Sequence, residues 1–302
     1  MMQPRNNTIV LVAGVDRREM IRQALTALGD AFIQKIKTAR QIFVHPNLVT
    51  SHRAAATTDV EAVRGVVDHI ALYSDHKILI GDAGYHDTKK AFAAFDYPSL
   101  TRSGNVELVD LNEDETIPSW AYSTDFKKRT IPFSKTVAES DFNIVIVPAK
   151  MHSYTIVSLS LKTHVIGSQV VPRSPFGIYA RWPWNHTGYA QFHKTLAEVY
   201  VEHPAHLAVI DGTRAMEGNG PASGEEVNLG WVLVSLNPVA ADALAAWLMG
   251  LEPSDIGYLY YLNQRGMGPI DPAEADMKGS NPTMLRRTLK RPDTYPAILR
   301  WR

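Results

Sequence analysis

Apolar positions along the chain fall into two alternating rhythms, short unbroken runs and longer stretches at helical spacing. Thr8 to Ala13 predicts a strand. Ile21, Leu25, Leu28, Phe32 and Ile36 then recur at three- and four-residue intervals, which predicts one long helix from Arg17 to about Thr38. Gln41 to His45, Lys77 to Ile80 and Val106 to Asp110 predict three more strands. Helices fall over Val60 to Tyr73, behind the capping residue Asp59, and around Thr88 to Phe95. Ile144 to Pro148 reads as a buried strand that runs directly onto Lys150, Met151 and His152. From Tyr154 the period looks helical, with Ser153 as N-cap, and this would place Thr155, Ser158, Lys162 and Gln169 on one helix face. Downstream come a helix from Gly188 to His203, strands at His206 to Ile210 and Leu229 to Leu236, and a helix from Val239 to Met249. Pro238 sits at that helix's first position after the cap Asn237, and a last helix covers Ser254 to Gln264. Strands alternating with helices imply an α/β fold, a mainly parallel sheet with helices on both faces.

Three segments interrupt this rhythm. Residues 113–140 hold Pro118, Pro132 and two short strand patterns, and read as an inserted β-hairpin. The Pro- and aromatic-rich stretch at 168–187 is too long for an ordinary connector and reads as a lid-like loop. Thr213 to Val227 reads as a long glycine-rich loop. Residues 1–270 are expected to form a single domain, with 271–302 an irregular basic tail packed on it.

Composition narrows the function classes. The 302 residues hold 31 Lys plus Arg and 31 Asp plus Glu, so bulk charge gives no reason to expect nucleic acid or an anionic membrane as partner. Cysteine is absent, which excludes disulfides, thiolate metal sites, a cysteine nucleophile and all-cysteine iron–sulfur ligation. The start, MMQPRNNTIVLVAG, has too short an apolar run for a secretory signal, and no run reaches about 18 apolar residues, so a cytoplasmic protein is expected. Assembly as a homo-oligomer is compatible with all of this.

Several stretches together resemble the family called domain of unknown function three-six-two. They are HPNLV at His45 to Val49, TTDVEAVRGVV at Thr57 to Val67, PAKMH at Pro148 to His152 and LSLKTHVIG at Leu159 to Gly167. LAVIDGTRAMEGNGPASG at Leu207 to Gly224 and NPVAADALAAWLMGLEP at Asn237 to Pro253 complete the set. Some positions depart from the family pattern. His45 stands where a lysine is common, Lys162-Thr163 replaces a Lys-Asn pair, and Asn237 replaces an aspartate, while Asp242 is kept. Many relatives carry ferredoxin-like cysteine clusters, so the resemblance implies no electron-transfer role for this cysteine-free chain. It implies a fold and a site location rather than a reaction.

In an open α/β sheet, ligands bind beyond the carboxyl ends of the strands. Polar residues stand at four such ends: His45 and Asn47, Asp82, Lys150 and His152, and Asp211. Lys150 and His152 are two apart and point the same way from an extended strand. Lys162 is the single charge in an apolar stretch. Together they suit a carboxylate, phosphate or sulfonate, with Lys150 and Lys162 holding the anion, His152 moving a proton, and Asp211 or Glu217 orienting His152 or binding a metal. His45, Asn47, His186, Glu217, Asn219 and Gly220 are the candidate substrate contacts. His193 falls in an apolar helical stripe and reads as core, and His164 as facing solvent or a partner helix. Acid–base lyase or isomerase chemistry on a small anionic molecule fits best. The alternatives are a non-catalytic binding or assembly protein using the same cleft, and a metal-assisted hydrolase, for which no HxH or HExxH spacing speaks. No cofactor can be named from these residues.

Overall fold

The structure, a computed structural model, describes residues 6–302. Met1–Arg5, at the head of the run read above as too short for a signal, lie outside the described residues.

Among the described residues the main elements follow one another in the order β1 (Thr8–Ala13), α1 (Arg17–Leu28), α2 (Asp30–Thr38), β2 (Gln41–Pro46), α3 (Val60–Ala71), β3 (Lys77–Asp82), α4 (Thr88–Ala94) and β4 (Val106–Asp110). Then come β5 (Thr116–Tyr122), β6 (Lys128–Ser134), α5 (Lys135–Glu139), β7 (Phe142–His152), β8 (Ile156–Ser158), α6 (Ser160–Gly167), α7 (Trp182–Asn185) and α8 (Tyr189–Glu202). The last are β9 (Leu207–Glu217), β10 (Glu225–Val227), β11 (Trp231–Ser235), α9 (Pro238–Leu248), α10 (Gly257–Gln264) and β12 (Asp276–Gly279).

Ten of the strands form one mixed sheet in the order β12-β1-β11-β9-β7-β2-β3-β4, with β8 added to β7 and β10 to β9. From β9 to β4 the neighbours are parallel, whereas β11 runs antiparallel to both β1 and β9. The protein therefore has an α/β fold, with helices around a mostly parallel sheet. β5 and β6 pair antiparallel from Thr116↔Ser134 to Tyr122↔Lys128 as a separate hairpin inserted between β4 and β7. All eleven residues of β7 are buried, because apolar layers cover both faces. Val145, Val147 and Met151 join the layer of α6, α8 and α9, while Ile144 and Ile146 join that of α1 to α3.

Four local expectations change. The long first helix is two, broken where Gly29 takes φ of 64°, a left-handed conformation that glycine adopts without steric cost. The expected helix from Tyr154 is instead a hairpin: β8 pairs back on β7 as Lys150↔Ser158 and His152↔Ile156, and α6 starts only at Ser160. Thr155 and Ser158 thus share no helix face with Lys162. The glycine-rich loop after Asp211 is largely strand, since β9 continues to Glu217 and pairs with β10. The irregular tail contains β12, which lies parallel to β1 on the sheet's edge.

Candidate functional site

Where β2, β3 and β7 end, their terminal residues, α6 and the segment around Trp182 enclose a pocket of about 370 Å³. Asn47, Asp82, His152, Lys162, Arg181 and His186 all line it. Sequence position alone separates these residues by up to 139 places; the parallel strand order brings their carboxyl ends together.

The floor is a buried polar network. His45 Nε2 lies 3.1 Å from Asp82 Oδ1, and Asp82 Oδ2 accepts the Leu48 backbone N–H at 2.7 Å. His45 itself is sealed, packed edge-on against Phe43 and His164. A substrate contact was expected from it, but with no exposed surface its role is to hold Asp82. Gly167, at the end of α6, sits directly over this pair: a Cβ there would collide with Asp82 Oδ1 and crowd His45 Nε2.

Lys150 is fully buried and does not line the pocket. Its ammonium donates to Asn47 Oδ1 and to the Ala56 carbonyl oxygen, 2.5 Å each. Burial, with the charge of Lys162 nearby, lowers its pKa to about 7. Direct contact with a substrate anion was expected of Lys150; its geometry instead lets it fix Asn47, which does line the pocket.

Lys162 is only half-buried and, among the described residues, forms no ion pair or hydrogen bond. Burial lowers its pKa to about 8, partly opposed by the negative charge of Asp82. Asp242 determines where it stands. The buried carboxylate accepts Ser160 N–H at 2.9 Å, Leu161 N–H at 3.0 Å and the Ser160 hydroxyl, so it latches the first turn of α6 one residue before Lys162.

His152 closes β7. Its Nδ1 accepts from the backbone N–H of Tyr154 at 2.9 Å and of Thr155 at 3.3 Å, and burial with the charge of Lys162 holds the ring well below the usual histidine pKa. His186 stacks flat on Tyr154, centroids 4.0 Å apart.

Arg181 could not be singled out from sequence, because it lies in an irregular loop with no periodic signal. It is 5% exposed, and Nε, Nη1 and Nη2 donate to Gln169 O, Gly84 O, Tyr179 O and Asn112 Oδ1. Burial lowers its pKa only to about 10, opposed by the negative charges of Asp82 and Asp110, so it stays charged, and among the described residues no carboxylate forms an ion pair with it. Asn185 and Gln169 exchange side-chain hydrogen bonds alongside. The loop at 168–187 is thus bolted to the body as a pocket wall.

Other expected site residues are elsewhere. Asp211 does not reach His152: it binds Arg17 at 2.5 Å and Thr213, and Arg17 also meets Asp59. Glu217 accepts Lys290 N–H at 2.9 Å, and Asn219 exchanges hydrogen bonds with Asp293, both on the side of the C-terminal segment. Gly220 accepts Ser153 N–H at 3.0 Å and leaves no room for a Cβ against Met151 O, so it shapes the rim that continues as Pro221 and Ala222. His193 is core, against Tyr258 and Trp301. His164 is buried rather than solvent-facing, its Nε2 2.9 Å from His203 O. Among the described residues no group of three or more His, Asp or Glu is placed to hold a metal ion, and no helix is long and apolar enough to cross a membrane.

The chain is 23% identical over 255 residues to the thylakoid-associated protein sll1697 of Synechocystis, covering 83% of this chain and 75% of that one. Its fold is similar to the lactate racemase apoprotein of Thermoanaerobacterium thermosaccharolyticum, with a TM-score of 0.52 and 12% identity. That likeness covers 83% of this chain but only 59% of the racemase. A Thermotoga maritima protein aligns with a TM-score of 0.43 and 11% identity over 72% of this chain and 56% of its own. The family described as Domain of unknown function (DUF362) matches residues 42–247, well over half of the chain, and the protein belongs to that family.

Proposed function

We propose that the protein is an enzyme that binds a small organic anion in this pocket and moves a proton on it, as an isomerase does. The observation that carries this reading is Lys162, an amine standing in the pocket without any partner among the described residues. A structural lysine in such surroundings is normally paired, because an isolated ammonium is costly to bury. One left open with its pKa lowered to about 8 exchanges protons near neutrality. Arg181 supplies a fixed positive charge that the nearby Asp82 and Asp110 oppose without an ion pair among the described residues, and with Lys162 it gives the pocket two cationic groups for an anionic ligand. The fold is similar to that of a protein named as a lactate racemase apoprotein, and an isomerase reading is compatible with that architecture. Trp182 and His186 line one side of the pocket, which is a half-open cleft with polar groups converging in it, as small-molecule sites commonly are. A metal-assisted hydrolase has less support, for want of a donor set among the described residues. The chemistry needs no membrane or nucleic acid, and a cytoplasmic setting suits it.

Thermal-shift measurements across short carboxylates, phosphates and sulfonates test the binding half. A carboxylate at a hundredfold excess over its Kd stabilises by about 2.7 kcal/mol, a rise of several degrees. Lys162→Ala is expected to lose most of that rise. Equal responses of wild type and variant to every anion would refute the site.

A further inference from the structure

His152 is held in one tautomer. Its Nδ1 accepts two backbone N–H groups, and an accepting nitrogen carries no proton, so the neutral ring bears its hydrogen on Nε2. Both donors belong to the turn between β7 and β8, whose register is fixed by His152↔Ile156 and Lys150↔Ser158. Protonating Nδ1 would set its hydrogen against those two N–H groups. Nε2 makes no hydrogen bond among the described residues and is the polar atom left for the pocket. In this state it donates a hydrogen bond but cannot accept a proton, contrary to the proton-moving role expected from the sequence.

We infer that His152 is the neutral hydrogen-bond donor of the site and Lys162 its base, and that the substrate is an anionic ketone, a 2-oxo acid, enolised beside its carbonyl. The inference rests on the acid–base reading above. Lys162 Nζ takes the proton from the carbon next to the ketone, and the C–H electron pair becomes the enolate double bond. The carbonyl π pair moves onto oxygen, which accepts the hydrogen bond from His152 Nε2–H. The Lys162 ammonium then returns a proton to carbon. A neutral imidazole N–H is matched to the single negative charge of an enolate oxygen. Proton loss beside a bare carboxylate, as a 2-hydroxy acid would require, piles a second charge onto that group, and a neutral donor does little for it. The substrate's own carboxylate is left to the field of Arg181. The pocket holds the volume of about a dozen liquid waters. Val49, Ile166, Trp182, Pro221 and Ala222 give it apolar wall, so an oxo acid with a sizeable apolar group fills it better than a three-carbon acid.

Two measurements on the intact protein test this. In ¹⁵N-histidine-labelled protein, long-range ¹H–¹⁵N correlations, with the His152 signals assigned by their loss in His152→Gln, are expected to show the Nε2–H tautomer throughout pH 6 to 9. An Nδ1–H ring, or an imidazolium above pH 6, overturns the donor assignment. Separately, deuterium uptake from D₂O is followed by NMR for phenylpyruvate and pyruvate against mandelate and lactate. The oxo acids are expected to exchange above the buffer blank and the hydroxy acids not to. Lys162→Met should slow exchange by about a hundredfold or more, and His152→Gln should also slow it while leaving binding in place. Hydroxy acids exchanging as fast as oxo acids overturns the substrate class. Exchange that survives Lys162→Met in a folded variant overturns the base assignment. Exchange of none of the four by wild type removes the acid–base reading itself, and with it this inference, whatever tautomer His152 shows.

Discussion

Two lysines in similarly apolar surroundings do different work here, and the difference lies in what their ammonium groups touch. Lys150 has two oxygens within hydrogen-bonding distance and no opening to the pocket; Lys162 has the opening and no partner among the described residues. Both have folded-state pKa values below the ordinary lysine value of 10.5, at about 7 and about 8. Between those values and 10.5 the unfolded chain binds more protons than the folded one, so their linkage makes stability rise with pH across that window. The urea midpoint of wild type is therefore expected to climb from pH 7 to pH 9, and that of Lys150→Met to climb less. A flat or falling wild-type profile would contradict the burial of an uncompensated amine. At neutral pH, Lys150→Met also leaves Asn47 Oδ1 and Ala56 O without a donor, at about 1–3 kcal/mol for each acceptor left buried and unpaired. Much of this was legible in sequence. The alternation of Lys150 and His152 at a strand exit and the isolation of Lys162 pointed to the strand ends beside which the pocket opens. Arg181 was not legible, because its importance comes from carbonyls at Gly84, Gln169 and Tyr179 that carry no residue-type signal.

Helix α6 shows how one element depends on residues outside it. Its first N–H groups are satisfied by Asp242 on α9, and its last residue must be glycine to pass over His45 and Asp82. Asp242→Ala is expected to lower unfolding stability by about 2–4 kcal/mol, read by urea titration, because buried N–H groups lose their acceptor. It should also reduce ligand-induced stabilisation, since Lys162 moves with the helix. Gly167→Ala is expected to reduce ligand-induced melting shifts through displacement of Asp82, and unchanged shifts would show that this contact can relax. The start of α6 was misjudged from sequence for a physical reason. Ile156, Val157 and Leu159 are all buried, and where every side of an element is covered, apolar spacing no longer separates strand from helix. The Asp211 segment misled differently: a glycine-rich stretch looked like a loop, but Gly212 packs against Trp231 within a continuing strand.

Across the whole molecule, several histidines are kept neutral by burial. His193 is lowered to about 3 and His206 to about 4, and His152 and His164 lie well below the usual value. As pH falls below about 6.5 the unfolded chain takes up protons that these rings do not. Asp242, raised to about 7 by burial, acts in the opposite sense, but it is one group against four rings, so stability is expected to decline from pH 6.5 towards 4, measured as a falling Tm. A Tm constant to pH 4.5 would contradict the neutral state of these rings. At this scale the parallel half of the sheet was readable from the regular alternation of strands and helices. The reversed direction of β11 was not, because the polarity pattern of a strand buried on both faces carries no information about which way it runs.

β12 occupies the hydrogen-bonding edge of β1 with residues Asp276 to Gly279, contributed from near the end of the chain. A chain truncated ahead of Asp276 would leave the backbone of Ile9 to Leu11 without its neighbour, as a bare flank open to docking by a strand from another molecule. Such a truncation is expected to precipitate or form β-rich aggregates rather than simply melt earlier.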